Sequence, residues 1–132
     1  MKLITRDTDY AVRAIAFIAK HKSELVTAGQ LARELNIPRP FLRKLLQKLN
    51  KHKLLTSYKG KDGGFELAVP PESIHLTDLI RIFQGNFRIN ECLFKKKICP
   101  NVRMCGLKHR IDGIEKRVAR ELESITIGKL LK

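Results

Sequence analysis

Residues 27–65 read TAGQLARELNIPRPFLRKLLQKLNKHKLLTSYKGKDGGF, and the changes of pattern inside this stretch decide the fold. Thr27 followed by Gln30 is a capping-box signal, with Thr27 able to accept from the amide three residues on and Gln30 able to reach back. Leu31, Ala32 and Leu35 then form the apolar side of a short helix. Asn36-Ile37-Pro38 interrupts it, because proline lacks an amide donor and disfavours helical geometry in the residue before it. Beyond the break, Phe41, Leu42, Leu45, Leu46 and Leu49 recur at helical spacing and commit one face to a core. The other face is cationic. Helix, tight turn and cationic amphipathic helix is the helix-turn-helix layout, whose second helix enters the major groove with its amino-terminal residues toward base edges.

Residues 36–61 contain no acid, while Arg39, Arg43, Lys44, Lys48, Lys51, Lys53, Lys59 and Lys61 crowd the same stretch. A plain helical hairpin has no need of that charge. After Lys53 the period shortens: residues 54–58 and 65–69 read as two strands joined by KGKDGG, whose glycines permit backbone angles that other residues resist. The hairpin is a wing, with a cationic tip suited to phosphates or to a minor groove. A nucleotide-binding loop would need the phosphate-loop spacing, which is missing here.

Outward from this centre, residues 7–20 form an amphipathic helix with Ala11, Ala14, Ile15 and Ile18 close to one face. After the wing, Pro70-Pro71 ends the sheet and Thr77 is placed to cap a helix carrying Leu79, Ile80 and Phe83. Near the end of the chain Leu107, Ile111, Ile114, Val118, Leu122 and Ile125 form a long apolar seam on a charged helix. The same helix of a second copy would cover the seam in a two-fold homodimer, and folding back on its own domain is the alternative. The expected fold is mainly α with a small β-hairpin wing: a winged helix-turn-helix domain over residues 1–84, a cysteine-containing loop over 85–106, and a dimerisation helix with its tail over 107–132.

The chain has 132 residues, 27 Lys and Arg against 13 Asp and Glu, and a formal charge of +14. That asymmetry points to a polyanion, with double-stranded DNA ahead of an anionic membrane surface. A dimer would read a pseudo-palindromic site, its two recognition helices about one duplex turn apart. The apolar run 14–19 is far short of a membrane span, and Asp7 and Asp9 stand where a secretion signal needs apolar residues. The expected location is cytoplasmic, without membrane association. No nucleophile has an adjacent base at recognisable spacing, and His21, His52, His75 and His109 are dispersed, so an enzyme is not expected. An RNA-binding module would call for more exposed aromatic residues.

All three cysteines, Cys92, Cys99 and Cys105, sit in one basic segment with six and then five residues between them. Three thiols cannot pair off within one chain, and lysines, Pro100 and Gly106 around them offer little apolar cover. The cluster reads as a cofactor or metal site, with zinc or a redox thiol switch as the other chemistries.

The motif Asp9-Tyr-Ala-Val-Arg13, the helix-turn-helix, the glycine wing, three cysteines before a long helix and the ending ITIGKLL together resemble the bacterial winged-helix regulators that include IscR, NsrR and RirA. The resemblance implies a homodimeric transcription regulator, expected to be a repressor, with one iron-sulfur cluster per subunit on Cys92, Cys99 and Cys105. The start of the chain looks more like NsrR and RirA, which implies a 4Fe-4S rather than a 2Fe-2S cluster. By the same resemblance, Asp9 of the partner subunit is the candidate fourth ligand. The histidine used in IscR-like members is replaced by Lys108, with His109 one step later. Pro38, Arg39, Pro40 and Arg43 match contact positions at the start of the recognition helix, and Lys59 matches one at the wing; Thr27, Lys44, Lys48 and Lys61 complete the candidate DNA-binding set, with Lys44, Lys48 and Lys51 assigned to phosphates. The rival expectation is a cluster-free regulator that senses through its thiols or a protein partner.

Overall fold

The computed structural model describes residues 3–87 and 106–131. The first helix, α1 (Arg6–Lys20), starts one residue earlier than its apolar pattern indicates, because Thr5 caps it and accepts from the Thr8 amide. Asp7 and Asp9 in its first turn and Lys20 in its last suit the helix dipole. Ala11, Ala14, Ile15 and Ile18 face the core as their spacing requires.

Helix α2 (Ala28–Leu35) is capped by the Thr27 hydroxyl, which accepts from the Gln30 amide at 3.0 Å. It ends at Asn36, whose φ of 54° lies in the left-handed region that asparagine tolerates. Ile37 is buried and Pro38 leads into α3 (Arg39–Lys51). Leu42, Leu45, Leu46 and Leu49 fill the core side of α3. Phe41 departs from expectation: it is 46% exposed, standing on the flank of the helix rather than beneath it. The leucine positions alone already define a full apolar stripe, and Phe41 falls well to one side of it at about 100° per residue.

The wing pairs β1 (Leu55–Tyr58) with β2 (Gly64–Leu67) in an antiparallel ladder, from Leu55 opposite Leu67 to Tyr58 opposite Gly64. Both strands are shorter than their sequence pattern, and β2 begins earlier. Val26 and Phe65 exchange amide bonds of 3.0 and 2.8 Å, so the hairpin is anchored to the chain just before α2. Pro70 and Pro71 then start a short 3-10 turn at Pro71–Ser73.

Helix α4 (Leu76–Gln84) is capped by His75 and not by Thr77, which lies within the first turn. The reason is Asp78: its carboxylate accepts from the His75 amide at 3.0 Å and closes the turn one step earlier. Leu79 and Ile80 enter the core. Helix α5 (Gly106–Glu123) carries the long seam, of which Leu122 is buried, Ile111 and Val118 are half-buried, and Leu107 and Ile114 are exposed at 73% and 41%.

The tail returns to the core. Leu76 donates to the Ile125 carbonyl and Ile127 to the Ile74 carbonyl, each at 2.9 Å, and α6 (Ile127–Leu130) follows, capped by Thr126. Ile127 is fully buried in the core cluster, and α6 packs against α1 and the 3-10 turn. A Cβ on Gly128 would lie 2.9 Å from Glu72 Cγ, so the tail packs against the 3-10 turn closely enough to require glycine. No helix among the described residues is long and apolar enough to cross a membrane.

Candidate nucleic-acid interface

With its leucines fixed in the core, α3 turns Pro40, Lys44, Gln47 and Lys51 outward, at about 100° per residue. All four are exposed, as are Pro38, Arg39, Arg43 and Lys48. Arg43 and Asn50 share one flank of the helix; Phe41 and Lys48 share the other. Gln47 is absent from the sequence-derived candidates, although the leucine spacing alone places it opposite the core. Its side-chain amide can both donate and accept hydrogen bonds.

Not every cation of this surface stands free in solvent. Arg39 folds back over the first turn of α2, where a Cβ on Gly29 would come within 3.3 Å of its Nη2. Lys48 Nζ lies 5.5 Å from the centroid of the Phe83 ring, and the Arg6 guanidinium lies 5.4 Å from that of Phe41. The second contact ties Arg6 of α1 to the flank of α3, and the first ties Lys48 on that flank to Phe83 of α4. Thr27 is exposed at the start of α2, its hydroxyl serving as the cap.

Lys59, Gly60, Lys61 and Asp62 form the exposed wing tip. Gly60 has φ of 107°, and a Cβ on Gly63 would sit 2.1 Å from the Tyr58 carbonyl oxygen, so the turn closes only with glycine at these places. Behind the tip, the Tyr58 hydroxyl donates to Glu66 Oε1 at 2.7 Å across the ladder. That bond and the Glu66 charge hold the phenol pKa above its ordinary value near 10.

The second candidate site is visible only at its margins. Cys92, Cys99 and Cys105 lie outside the described residues. Among the described residues no group of three or more His, Cys, Asp or Glu side chains is placed to hold a metal ion. Asp9 sits in the first turn of α1, where Oδ2 accepts from Arg13 Nε at 2.9 Å on the protein surface. Lys108 Nζ donates to Asp112 Oδ2 at 2.9 Å, holding that carboxyl below its usual pKa, and His109 is exposed on the first turn of α5.

The sequence and the architecture have counterparts among known proteins. A family model for Rrf2, described as an iron-dependent transcriptional regulator, matches residues 4–132. The chain is 35% identical over 133 residues to the HTH-type transcriptional regulator NsrR of Bacillus licheniformis, covering 99% of this chain and 92% of that one. It is 31% identical over 134 residues to NsrR of Bacillus subtilis, covering 100% and 91%. Among solved structures it is similar to CymR, the global cysteine regulator of B. subtilis, with a TM-score of 0.80, 26% identity, and coverage of 99% and 97%. It is also similar to T. potens IscR, with a TM-score of 0.76, 25% identity, and coverage of 99% and 86%.

Proposed function

We propose a function from one premise: this chain belongs to the Rrf2 family of winged-helix transcription regulators, and is a DNA-binding regulator rather than an enzyme. In our reading it is a cytoplasmic homodimer that represses transcription from a pseudo-palindromic promoter site, and its affinity for that site is set by an iron-sulfur cluster. The observation that carries the DNA-binding half is the common exposure of the α3 outer face and the lysine wing tip within an acid-free stretch. Arg43 is assigned to a base edge, since a guanidinium can donate two bonds to guanine. Lys44, Lys51, Lys59 and Lys61 are assigned to phosphates, with Pro38, Arg39, Pro40 and Thr27 shaping the approach of the helix.

The dimer rests on the exposed Leu107 and Ile114 of α5, whose partner in this reading is the same seam of a second copy. It also follows the division of labour we assign to the chain, with DNA binding in residues 1–84, the cofactor loop in 85–106 and dimerisation in 107–132.

For the cofactor, the donor set fits: three thiols in a lysine-rich segment favour the thiolate form that iron-sulfur clusters require. Cys92, Cys99 and Cys105 would hold the cluster, of the 4Fe-4S type, with Asp9 of the partner subunit as fourth ligand. Once bound, it would supply a redox- and nitric-oxide-sensitive centre. Asp9 would have to exchange Arg13 for this role, which a surface ion pair worth at most about 1 kcal/mol permits. The likeness to CymR, named as a cysteine regulator, favours a second reading in which the thiols act without a cluster. Anaerobic purification decides between them. A brown protein with about four irons per chain that loses colour in Cys99→Ala supports the cluster; a colourless, iron-free wild type from iron-replete cells leaves the second reading.

A further inference from the structure

Gln84, the last residue of α4, makes an unusual set of bonds for a half-buried glutamine. Its Oε1 accepts from the Thr5 amide at 2.9 Å and from the Thr8 hydroxyl at 2.7 Å, and its Nε2 donates to the Leu3 carbonyl at 3.3 Å. Thr8 is the buried polar residue of the structure's described core, with no exposure at all, and its hydroxyl also meets that of Thr5 at 3.1 Å. One side chain therefore staples the end of α4 to the cap of α1.

The neighbours of this staple both grip the recognition helix. Arg6, next to Thr5, lies over Phe41; Phe83, next to Gln84, lies under Lys48. Phe41 and Lys48 are seven residues apart, two turns along the same flank of α3. The contacts form a closed ring: from α3 through Phe41 and Arg6 to the α1 cap, through Thr5, Thr8 and Gln84 to α4, and through Phe83 and Lys48 back to α3.

We infer that Gln84 is a positioning residue for DNA recognition, locking a two-point clasp that sets the angle at which α3 meets the groove. The inference rests on the DNA-binding reading of α3. It makes the side chain of Lys48 part of the clasp and removes it from the set of phosphate contacts. A clasp acts differently from a phosphate contact. Phosphate contacts govern affinity for every sequence and its salt slope, whereas helix angle governs whether base-reading side chains reach their partners. Unfolding, in turn, lowers the active fraction equally for all duplexes.

The test uses the full chain and a duplex selected by the wild type from a random-sequence pool. Dissociation constants for the selected and a scrambled duplex are measured across a salt series for wild type, Gln84→Met, Thr8→Val, Lys48→Met and Lys44→Ala. The clasp predicts that Gln84→Met, which removes the staple's three hydrogen bonds, Thr8→Val, which removes its hydroxyl bonds, and Lys48→Met, which removes the contact with Phe83, each lower the ratio of specific to non-specific affinity by about tenfold, with the salt slope unchanged. Lys44→Ala should instead lower the slope by about one with little change in the ratio. The inference is overturned if the ratio stays at the wild-type value in Gln84→Met and Thr8→Val, or if Lys48→Met lowers the slope as Lys44→Ala does. Should Gln84→Met fail to fold, Thr8→Val and Lys48→Met carry the test alone. A wild type that selects no sequence overturns the DNA-binding reading itself and this inference with it.

Discussion

Arg43 and Lys44 are adjacent on α3, both exposed and both cationic, yet we assign them different tasks in our proposal. Arg43 lies on a flank near the amino-terminal end of the helix, where side chains reach base edges, and its planar fork suits guanine. Lys44 points away from the core as a flexible point charge. Arg43→Ala should therefore cost about 1–3 kcal/mol of discrimination at one base-pair position, read as a flattened preference in a mutated-site binding series. Lys44→Ala should weaken all duplexes alike and lower the salt slope by about one. Equal effects of the two substitutions on every duplex would contradict the assignment. At this scale much was legible from spacing: the leucines of α3 identify its outer face without coordinates. Phe41 was misjudged, because its apolarity counted toward the core stripe while Arg6, distant in sequence, covers it instead.

Most elements followed from local chemistry, the exception being the start of α4, where Asp78 sets the cap at His75 rather than at Thr77. Thr27 caps α2, the Asn36 and Pro38 break is where the turn lies, and the glycines of the wing tip close it. The C-terminal strap was not legible, because the amide exchange of residues 74–76 with 125–127 joins segments about fifty positions apart. Periodicity shows which face of a segment is apolar and not what will cover it. Gln84 was hidden for the same reason, since a lone polar residue at a helix end carries no pattern. The strap predicts that Ile127→Ala destabilises the fold by about 2–4 kcal/mol although it lies near the chain terminus. Leu130→Ala, at a site 49% exposed, should change stability by less than about 0.5 kcal/mol. Urea unfolding of both variants checks this, and equal small effects would mean that the tail is not part of the cooperative unit.

At the scale of the whole molecule, a basic winged-helix body and a long helix with an unfinished apolar seam are joined by the strap and by α4. Two kinds of chemistry share one short sequence: a cationic surface built by α3 and the wing, and a run of three cysteines that falls in sequence between α4 and α5 and outside the described residues. In the dimer we propose, Ile114→Glu places a charge in the shared seam and should convert the protein to a monomer in analytical ultracentrifugation at micromolar concentration, with affinity for the selected duplex falling at least tenfold as the second half-site is lost. An unchanged dimer would show that α5 is not the interface.

One measurement tests most directly the coupling we propose between an iron-sulfur cluster and the recognition helices of a dimer. The affinity of the anaerobically purified dimer for its selected duplex is compared with that of the same preparation after its iron has been removed, at one salt concentration. The account predicts a change of about 5- to 150-fold, the usual range for linked sites, and its disappearance in the triple variant Cys92→Ala, Cys99→Ala, Cys105→Ala. Identical affinities for loaded and stripped protein would contradict it.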